Sequence, residues 1–80
     1  MKVTLLGYRV TSFVDDKTGE VVEGTSLFYS FPMTGEGTHG EEAEKKFIRK
    51  GQLELPVLEI GAEYDMGYNS KGRLMEIEAI

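Results

Sequence analysis

Residues 2–31 read KVTLLGYRVTSFVDDKTGEVVEGTSLFYSF, and this stretch decides the fold. Both halves are rich in Val, Leu, Thr, Tyr and Phe, which favour β-strands, and neither half contains a proline. Between them, residues 15–20 read DDKTGE, which is typical of a turn, because Asp accepts backbone hydrogen bonds and Gly19 can adopt a positive φ. The stretch therefore predicts one long β-hairpin.

Side chains in the first half of this hairpin alternate between two faces of a strand. One face carries Tyr8, Val10, Ser12 and Val14, and the other carries Arg9, Thr11 and Phe13. An isolated glycine within a strand indicates a bulge or a bend. We therefore expect a bulge at Gly7 in the first strand and a second one at Gly24 in the return strand.

Residues 62–80 predict a second hairpin. Asn69-Ser70-Lys71-Gly72 is a turn signal between two alternating segments. In the segment before the turn, one face carries Ala62, Tyr64, Met66 and Tyr68. In the segment after it, simple alternation places Leu74, Glu76 and Glu78 on one face and assigns to the core Met75, Ile77 and Ala79.

The sequence predicts the secondary structure of the middle of the chain less clearly. Residues 32–40 contain four of the residues that interrupt regular structure and predict a flexible loop. Residues 41–50 have local helix propensity, with glutamates four residues before lysines, yet they also fit a half-exposed strand with Phe47 facing inward. Because Pro56 excludes a central strand, residues 53–61 predict a turn or a single helical turn that ends at Gly61.

Four or five strands of this length close most economically as a small barrel, since closure removes exposed edges. The 80 residues allow one domain spanning 1–80, which buries only about 60% of its unfolded surface. The chain has no cysteine for a disulfide, so we expect the remaining support to come from a homodimer. No apolar run approaches the roughly 20 residues of a membrane span, and a cytoplasmic location follows by default.

The sequence gives little indication of an enzyme or of a metal-binding protein. Residues 35–40 match the G-x-G-x-x-G pattern, but a dinucleotide fold needs several parallel strands, which this chain cannot supply. The acidic pairs lie in polar loops or alternate outward, where they are solvated rather than catalytic. His39 is the single histidine and has no orienting partner, so we expect no enzyme activity, no metal and no small-molecule cofactor.

Positive charge is the feature that points to a ligand. The chain holds 14 acidic against 9 basic residues, a net charge of −5, which repels phosphate polymers unless the basic residues share one face. Six of the nine lie in two clusters, residues 45–50 and residues 71–73. Basic residues beside exposed aromatic rings are typical of a groove for single-stranded nucleic acid. Rings available for such a groove are Tyr8, Tyr29, Phe31, Tyr64 and Tyr68, although a small core needs most of them.

Four segments carry a resemblance to a known family: GEVVEGTSLF at 19–28, AEKKFI at 43–48, IGAEYDMGYN at 60–69 and GRLMEI at 72–77. In this order they resemble small single-stranded-DNA-binding proteins of Gram-positive phages, plasmids and conjugative elements. More distantly, they resemble the filamentous-phage helix-destabilising protein. The resemblance covers nearly the whole chain.

This resemblance implies an all-β, five-stranded OB-like barrel built from two hairpins and a middle strand. It makes residues 43–49 the third strand rather than a helix. It implies a two-fold dimer that binds single-stranded DNA cooperatively and without sequence preference, in replication or transfer of a mobile element.

The chain departs from the family at the tip of the first hairpin. Where the phage protein carries basic and aromatic contacts, this chain offers Lys17 alone among residues 17–23. The candidate nucleic-acid-binding residues are therefore Arg9, Tyr29, Lys45, Lys46, Arg49, Lys50, Lys71 and Arg73. The alternative is an acidic protein-interaction module that docks a partner on an edge strand or a groove.

Overall fold

The computed structural model describes residues 1–80, which form five β-strands and no helix. The strands are β1 (Lys2–Val14), β2 (Val21–Pro32), β3 (Glu41–Arg49), β4 (Glu63–Tyr68) and β5 (Leu74–Ala79). All pairs are antiparallel, and the single sheet has the order β3-β2-β1-β4-β5. The all-β prediction is confirmed.

No helix of the length and apolar character needed to cross a bilayer occurs in the chain.

The long hairpin of β1 and β2 is confirmed. At its turn the Asp15 amide donates to the Glu20 carbonyl at 2.8 Å, and Gly19 has a φ of 73°. The register shifts between Leu5 and Gly7, which is the predicted bulge. Since β3 pairs with β2 only from Gly24 onward, residues 12–23 project beyond the rest of the sheet, and we call them the hairpin arm.

The predicted bulge at Gly24 is wrong, because the register runs without interruption through its pair with Thr11. A different constraint requires glycine there. The Phe47 ring and the Ile48 carbonyl occupy the space that a Cβ at position 24 would need. The residue therefore permits a close approach of β3 to β2 rather than a change in register.

Residues 41–49 form a strand, not a helix. Strand β3 pairs with β2 along its whole length, from Glu41 opposite Pro32 to Arg49 opposite Gly24. Pairing with a neighbouring strand thus overrides the local helix propensity of this segment. The strand interpretation taken from the family resemblance is confirmed.

The second hairpin is confirmed, but its alternation is broken. A register shift between Gly67 and Tyr68 places Leu74 opposite Tyr68. As a result Leu74 is buried and Met75 is exposed, the reverse of the face assignment that simple alternation gives. Ile77 is buried as predicted, whereas Ala79, which alternation also assigns to the core, is exposed.

One hydrophobic core lies on one side of the sheet. Its members are Val3, Leu5, Leu27, Tyr29, Ile48, Tyr64, Met66, Leu74 and Ile77. Leu53, Leu55 and Leu58, in the connection between β3 and β4, pack against it. This connection contains no helical turn. It has the predicted turn, in which the Ala62 amide donates to the Glu59 carbonyl at 3.2 Å and Gly61 has a φ of 85°.

The sheet is not closed, so the predicted barrel is not confirmed. Strand β3 pairs only with β2, and β5 pairs only with β4. The leucines of the β3–β4 connection give the core apolar cover that a β3–β5 pair would otherwise provide. We call the side of the sheet opposite this core the outer face.

Candidate nucleic-acid interface

Two cations flank one aromatic ring on the outer face. The Arg9 guanidinium carbon lies 6.0 Å from the centroid of the Phe28 ring, and Lys45 Nζ lies 5.9 Å from it. The strands bring them together because Phe28 is directly opposite Lys45, while Arg9 is opposite the neighbouring outer-face residue Ser26. At about 6 Å each cation is attracted by the ring, and neither has a carboxylate partner.

A pair of aromatic rings extends this surface toward the hairpin arm. The rings of Phe13 and Phe47 have centroids 6.4 Å apart and are tilted by 50°. Phe13 is opposite Val22, and Phe47 lies over Gly24, so both rings stand on the outer face. Phe13 is exposed and Phe47 is partly exposed. We call these five side chains the outer patch: Arg9, Phe13, Phe28, Lys45 and Phe47.

Another cation, Lys46, lies on the core side of the sheet. Lys46 points away from its neighbour Lys45, and its Nζ lies 5.7 Å from the centroid of the Tyr68 ring. Lys71 and Arg73 are nearby in sequence, in the β4–β5 turn, where the Asn69 side-chain oxygen accepts from both of their amides at 3.0 Å. None of these three cations forms an ion pair.

Two of the predicted cations are partly neutralised. Lys50 Nζ lies 3.3 Å from a carboxylate oxygen of Glu23, and an Arg49 nitrogen lies 3.8 Å from one of Glu20. Both pairs are exposed, so each is a weak interaction that a phosphate could displace. They are nevertheless less available than Arg9, Lys45 and Lys46.

Tyr29 is not available as a platform for bases. Its side chain is 1% exposed in the core, and its hydroxyl donates to a carboxylate oxygen of Glu44 at 3.0 Å. Burial, followed by this hydrogen bond, raises the pKa of the Tyr29 phenol above its usual range. The structure therefore gives Tyr29 a role in the core, which corrects the prediction of a contact to the ligand.

Sequence reasoning missed the rings of the outer patch, and the prediction that Phe47 faces inward is wrong, since its ring lies on the outer face. Of the five aromatics that the sequence offered, only Tyr8 and Tyr68 are exposed. Tyr64 is also a core residue, with its hydroxyl donating to the Val57 carbonyl at 2.8 Å. Arg9 and Phe13 are predicted to share one face of the first strand, and this alternation could have indicated that they belong to one surface. Their partners across the sheet could be found only once the register of β2 and β3 was known.

The outer face is divided by charge. On β1 to β3 it carries the cations Lys2, Arg9, Lys45 and Arg49 and one carboxylate, Glu41, at the far end of β3. On β4 and β5 it carries Glu63, Asp65, Glu76 and Glu78. Asp65 is opposite Glu78, and the N-terminal amine offsets this repulsion at 2.9 Å from Asp65. The net charge of −5 thus coexists with a cationic region on the first three strands.

Groups suited to metal binding do not assemble in this chain: no three His, Cys, Asp or Glu side chains lie close enough to hold an ion. Comparison of the chain with protein-family models, with curated proteins and with solved structures finds no match. The geometry of the chain and the resemblance described above are therefore what bears on its function.

Proposed function

We propose that the outer patch binds single-stranded DNA without sequence preference. The observation that carries the proposal is that Arg9 and Lys45 lie on either side of the Phe28 ring and that neither forms an ion pair. Cations contact the phosphates while aromatic rings stack with bases, and every base has a face that can stack. No chemistry on the strand is involved, and we propose no enzymatic activity.

The strand order supports an OB-like arrangement, with β3 and β5 at the open seam. OB folds are partly open five-stranded barrels that bind oligonucleotides on the face of strands 2 and 3 and with the loops between strands 1 and 2 and strands 4 and 5. Phe28 and Lys45 are on β2 and β3, and Lys71 is in the β4–β5 loop. These positions of Phe28, Lys45 and Lys71 support the proposal.

The proposed path crosses the free edge of β3. Lys45 and Lys46 are adjacent and point to opposite sides of the sheet, the first toward Phe28 and the second toward Tyr68. A strand that bends around this edge would contact the outer patch on one side and the β4–β5 turn on the other. The acidic outer face of β4 and β5 repels phosphate and directs the strand to this route.

Salt dependence measures the electrostatic part of the proposal. The cations without ion pairs along this path are Arg9, Lys45, Lys46, Lys71 and Arg73. Five phosphate contacts on a single strand give a slope of log K against log salt of about −3.5, which is about a 100-fold loss of affinity between 50 and 200 mM salt. The assay is fluorescence anisotropy with labelled oligo-dT.

The matched variants are Lys45→Gln and Lys17→Gln, which remove the same charge from the path and from the hairpin tip. Lys45→Gln should weaken binding and make the salt slope shallower by about 0.7, while Lys17→Gln should change neither. Equal effects of the two variants would mean that only net charge matters. Absence of binding at both salt concentrations would refute the proposal and favour the protein-interaction module.

The setting follows from the same proposal and from the family resemblance. We propose that the protein acts in the cytoplasm, on single strands exposed during replication or transfer of a mobile element. Duplex DNA of equal length should bind more weakly, because its bases are already stacked and cannot reach the Phe28 ring.

A further inference from the structure

Most of one edge of β1 has no strand partner. Strand β4 covers this edge only from Lys2 to Thr4, and the bonds of Gly61 and Ala62 to Leu5 extend that cover by one residue. Residues 8–14 beyond it pair with β2 alone. In an antiparallel pair the backbone groups of successive residues point alternately toward the partner strand and away from it. The Asp15 amide bonds to Glu20, so odd-numbered residues face β2 and the even-numbered residues of 8–14 direct their amides and carbonyls to the free edge.

The side chains of these even-numbered residues make the edge apolar as well as unpaired. Val10 is 74% exposed, and Tyr8 and Val14 on the same face are also exposed, as is Val21 opposite Val14. A groove of about 460 Å³ opens beside Val10. Its apolar lining comes from Ile48, Leu53 and Leu55, and the charged residues Glu23, Arg49 and Lys50 also line it. An exposed apolar edge strand is a site for pairing with another chain.

We propose that this edge pairs with the same edge of a second copy, antiparallel and with the two-fold axis at Thr11. In this register all seven residues 8–14 find a partner within the same segment. Val10 is opposite Ser12 and Tyr8 is opposite Val14, and these are the residues whose backbone groups face outward. Two-fold pairing of this kind is self-complementary by construction.

The charges of the segment favour a second copy over an unrelated charged partner. Arg9 is the single charged residue between positions 8 and 14, and the proposed register places it opposite Phe13 of the other copy, so no like charges meet. The chain also needs support, since only 13 of its 80 residues are buried. Pairing covers Tyr8, Val10 and Val14 of both copies.

The pairing of two copies also has a consequence for DNA binding, and that consequence rests on the proposed function. Arg9 and Phe13 belong to the outer patch, and the odd-numbered residues of both copies lie on one face of the joined sheet. The two outer patches then form one continuous surface across the axis. A single strand longer than one patch can bind both copies at once, which raises its affinity without new contacts.

A disulfide across the axis tests the register. Thr11 is opposite itself in a non-hydrogen-bonded pair, where Cα atoms lie about 4.5 Å apart, a separation that a disulfide spans. The chain has no cysteine, so Thr11→Cys introduces a single thiol. Ser70→Cys, in the exposed β4–β5 turn, is the matched control for collisional cross-linking.

Sedimentation equilibrium over a wide range of concentration tests the association itself. We expect wild type to be a dimer, Val10→Lys to be a monomer, and Thr11→Cys to oxidise to a covalent dimer much faster than Ser70→Cys. Val57→Lys should remain a dimer. Val57 is 90% exposed and lies beside Ile77 and Ala79 of β5 rather than in the groove beside Val10.

A monomeric wild type, or a dimer that Val10→Lys leaves intact, would overturn the proposal. So would a Thr11→Cys protein that cross-links no faster than the Ser70→Cys control. Failure of the DNA proposal has a different signature: the dimer and the cross-link would persist, and oligo-dT would not bind. Circular dichroism of Val10→Lys and Val57→Lys establishes that both variants keep the fold.

Discussion

Replacing Leu74 and Met75 by alanine, one at a time, tests the register of the second hairpin. Simple alternation puts Met75 in the core and Leu74 outside, but Leu74 is 2% exposed and Met75 is 55% exposed. The reversal depends on the register shift opposite Gly67 and Tyr68. The two neighbouring substitutions should therefore have very different costs, although both shorten a large apolar side chain.

The magnitude follows from burial. A buried leucine replaced by alanine loses about 2–5 kcal/mol of folding free energy. Strand β5 is a six-residue edge strand whose surroundings can relax, so we expect about 2–3 kcal/mol for Leu74→Ala. Met75→Ala should stay within about 0.5 kcal/mol, as most surface substitutions do.

Urea denaturation followed by circular dichroism measures both values. For a domain of this size each kcal/mol lowers the melting temperature by about 4–8 °C, so Leu74→Ala should melt at least about 8 °C below wild type. The urea m-value of each variant should match that of wild type, which shows that the folded state has not changed. A larger loss for Met75→Ala than for Leu74→Ala would refute the register.

Two further stability predictions follow from the sheet. Gly24→Ala should cost about 1–3 kcal/mol in urea denaturation because its Cβ overlaps the Phe47 ring, whereas Gly7→Ala, with open space around it, should stabilise by about 0.4–1 kcal/mol. A Gly24→Ala protein as stable as Gly7→Ala would contradict the close approach of β3. The pKa of the Tyr29 phenol is raised in the folded protein, so the neutral form is favoured by folding. Stability should therefore fall as pH rises above about 10, the pKa of an unfolded tyrosine, and Tyr29→Phe should reduce that fall. An unchanged alkaline profile in Tyr29→Phe would argue against the buried phenol.

The local features of the fold were predictable because they depend on neighbours in sequence. The turn at residues 15–20 and the bulge near Gly7 follow from turn chemistry and strand composition. Gly24 shows the limit of this reasoning. A glycine in a strand is consistent with a bulge or with a close approach, and only the position of Phe47 on a neighbouring strand decides between them.

The candidate site was harder to predict, because its side chains come from three strands. Arg9 and Lys45 were identified as candidates from their charge, but the Phe28 ring between them was not. The sequence instead indicates Tyr29, although a ring one position along the same strand points to the opposite side of the sheet. Deciding between adjacent residues requires knowing which face of β2 holds the core, and β2 has buried residues on both faces.

The most direct test of the proposed function is a titration of isotope-labelled protein with oligo-dT, followed by amide chemical shifts in NMR spectra. We predict that shifts concentrate on the outer patch, at Arg9, Phe28 and Lys45, with smaller changes at Lys46 and the β4–β5 turn. The acidic outer face around Asp65 and Glu78 should not respond. Shifts centred on that acidic face, or no shifts at saturating oligo-dT, would contradict the proposal that the outer patch binds single-stranded DNA.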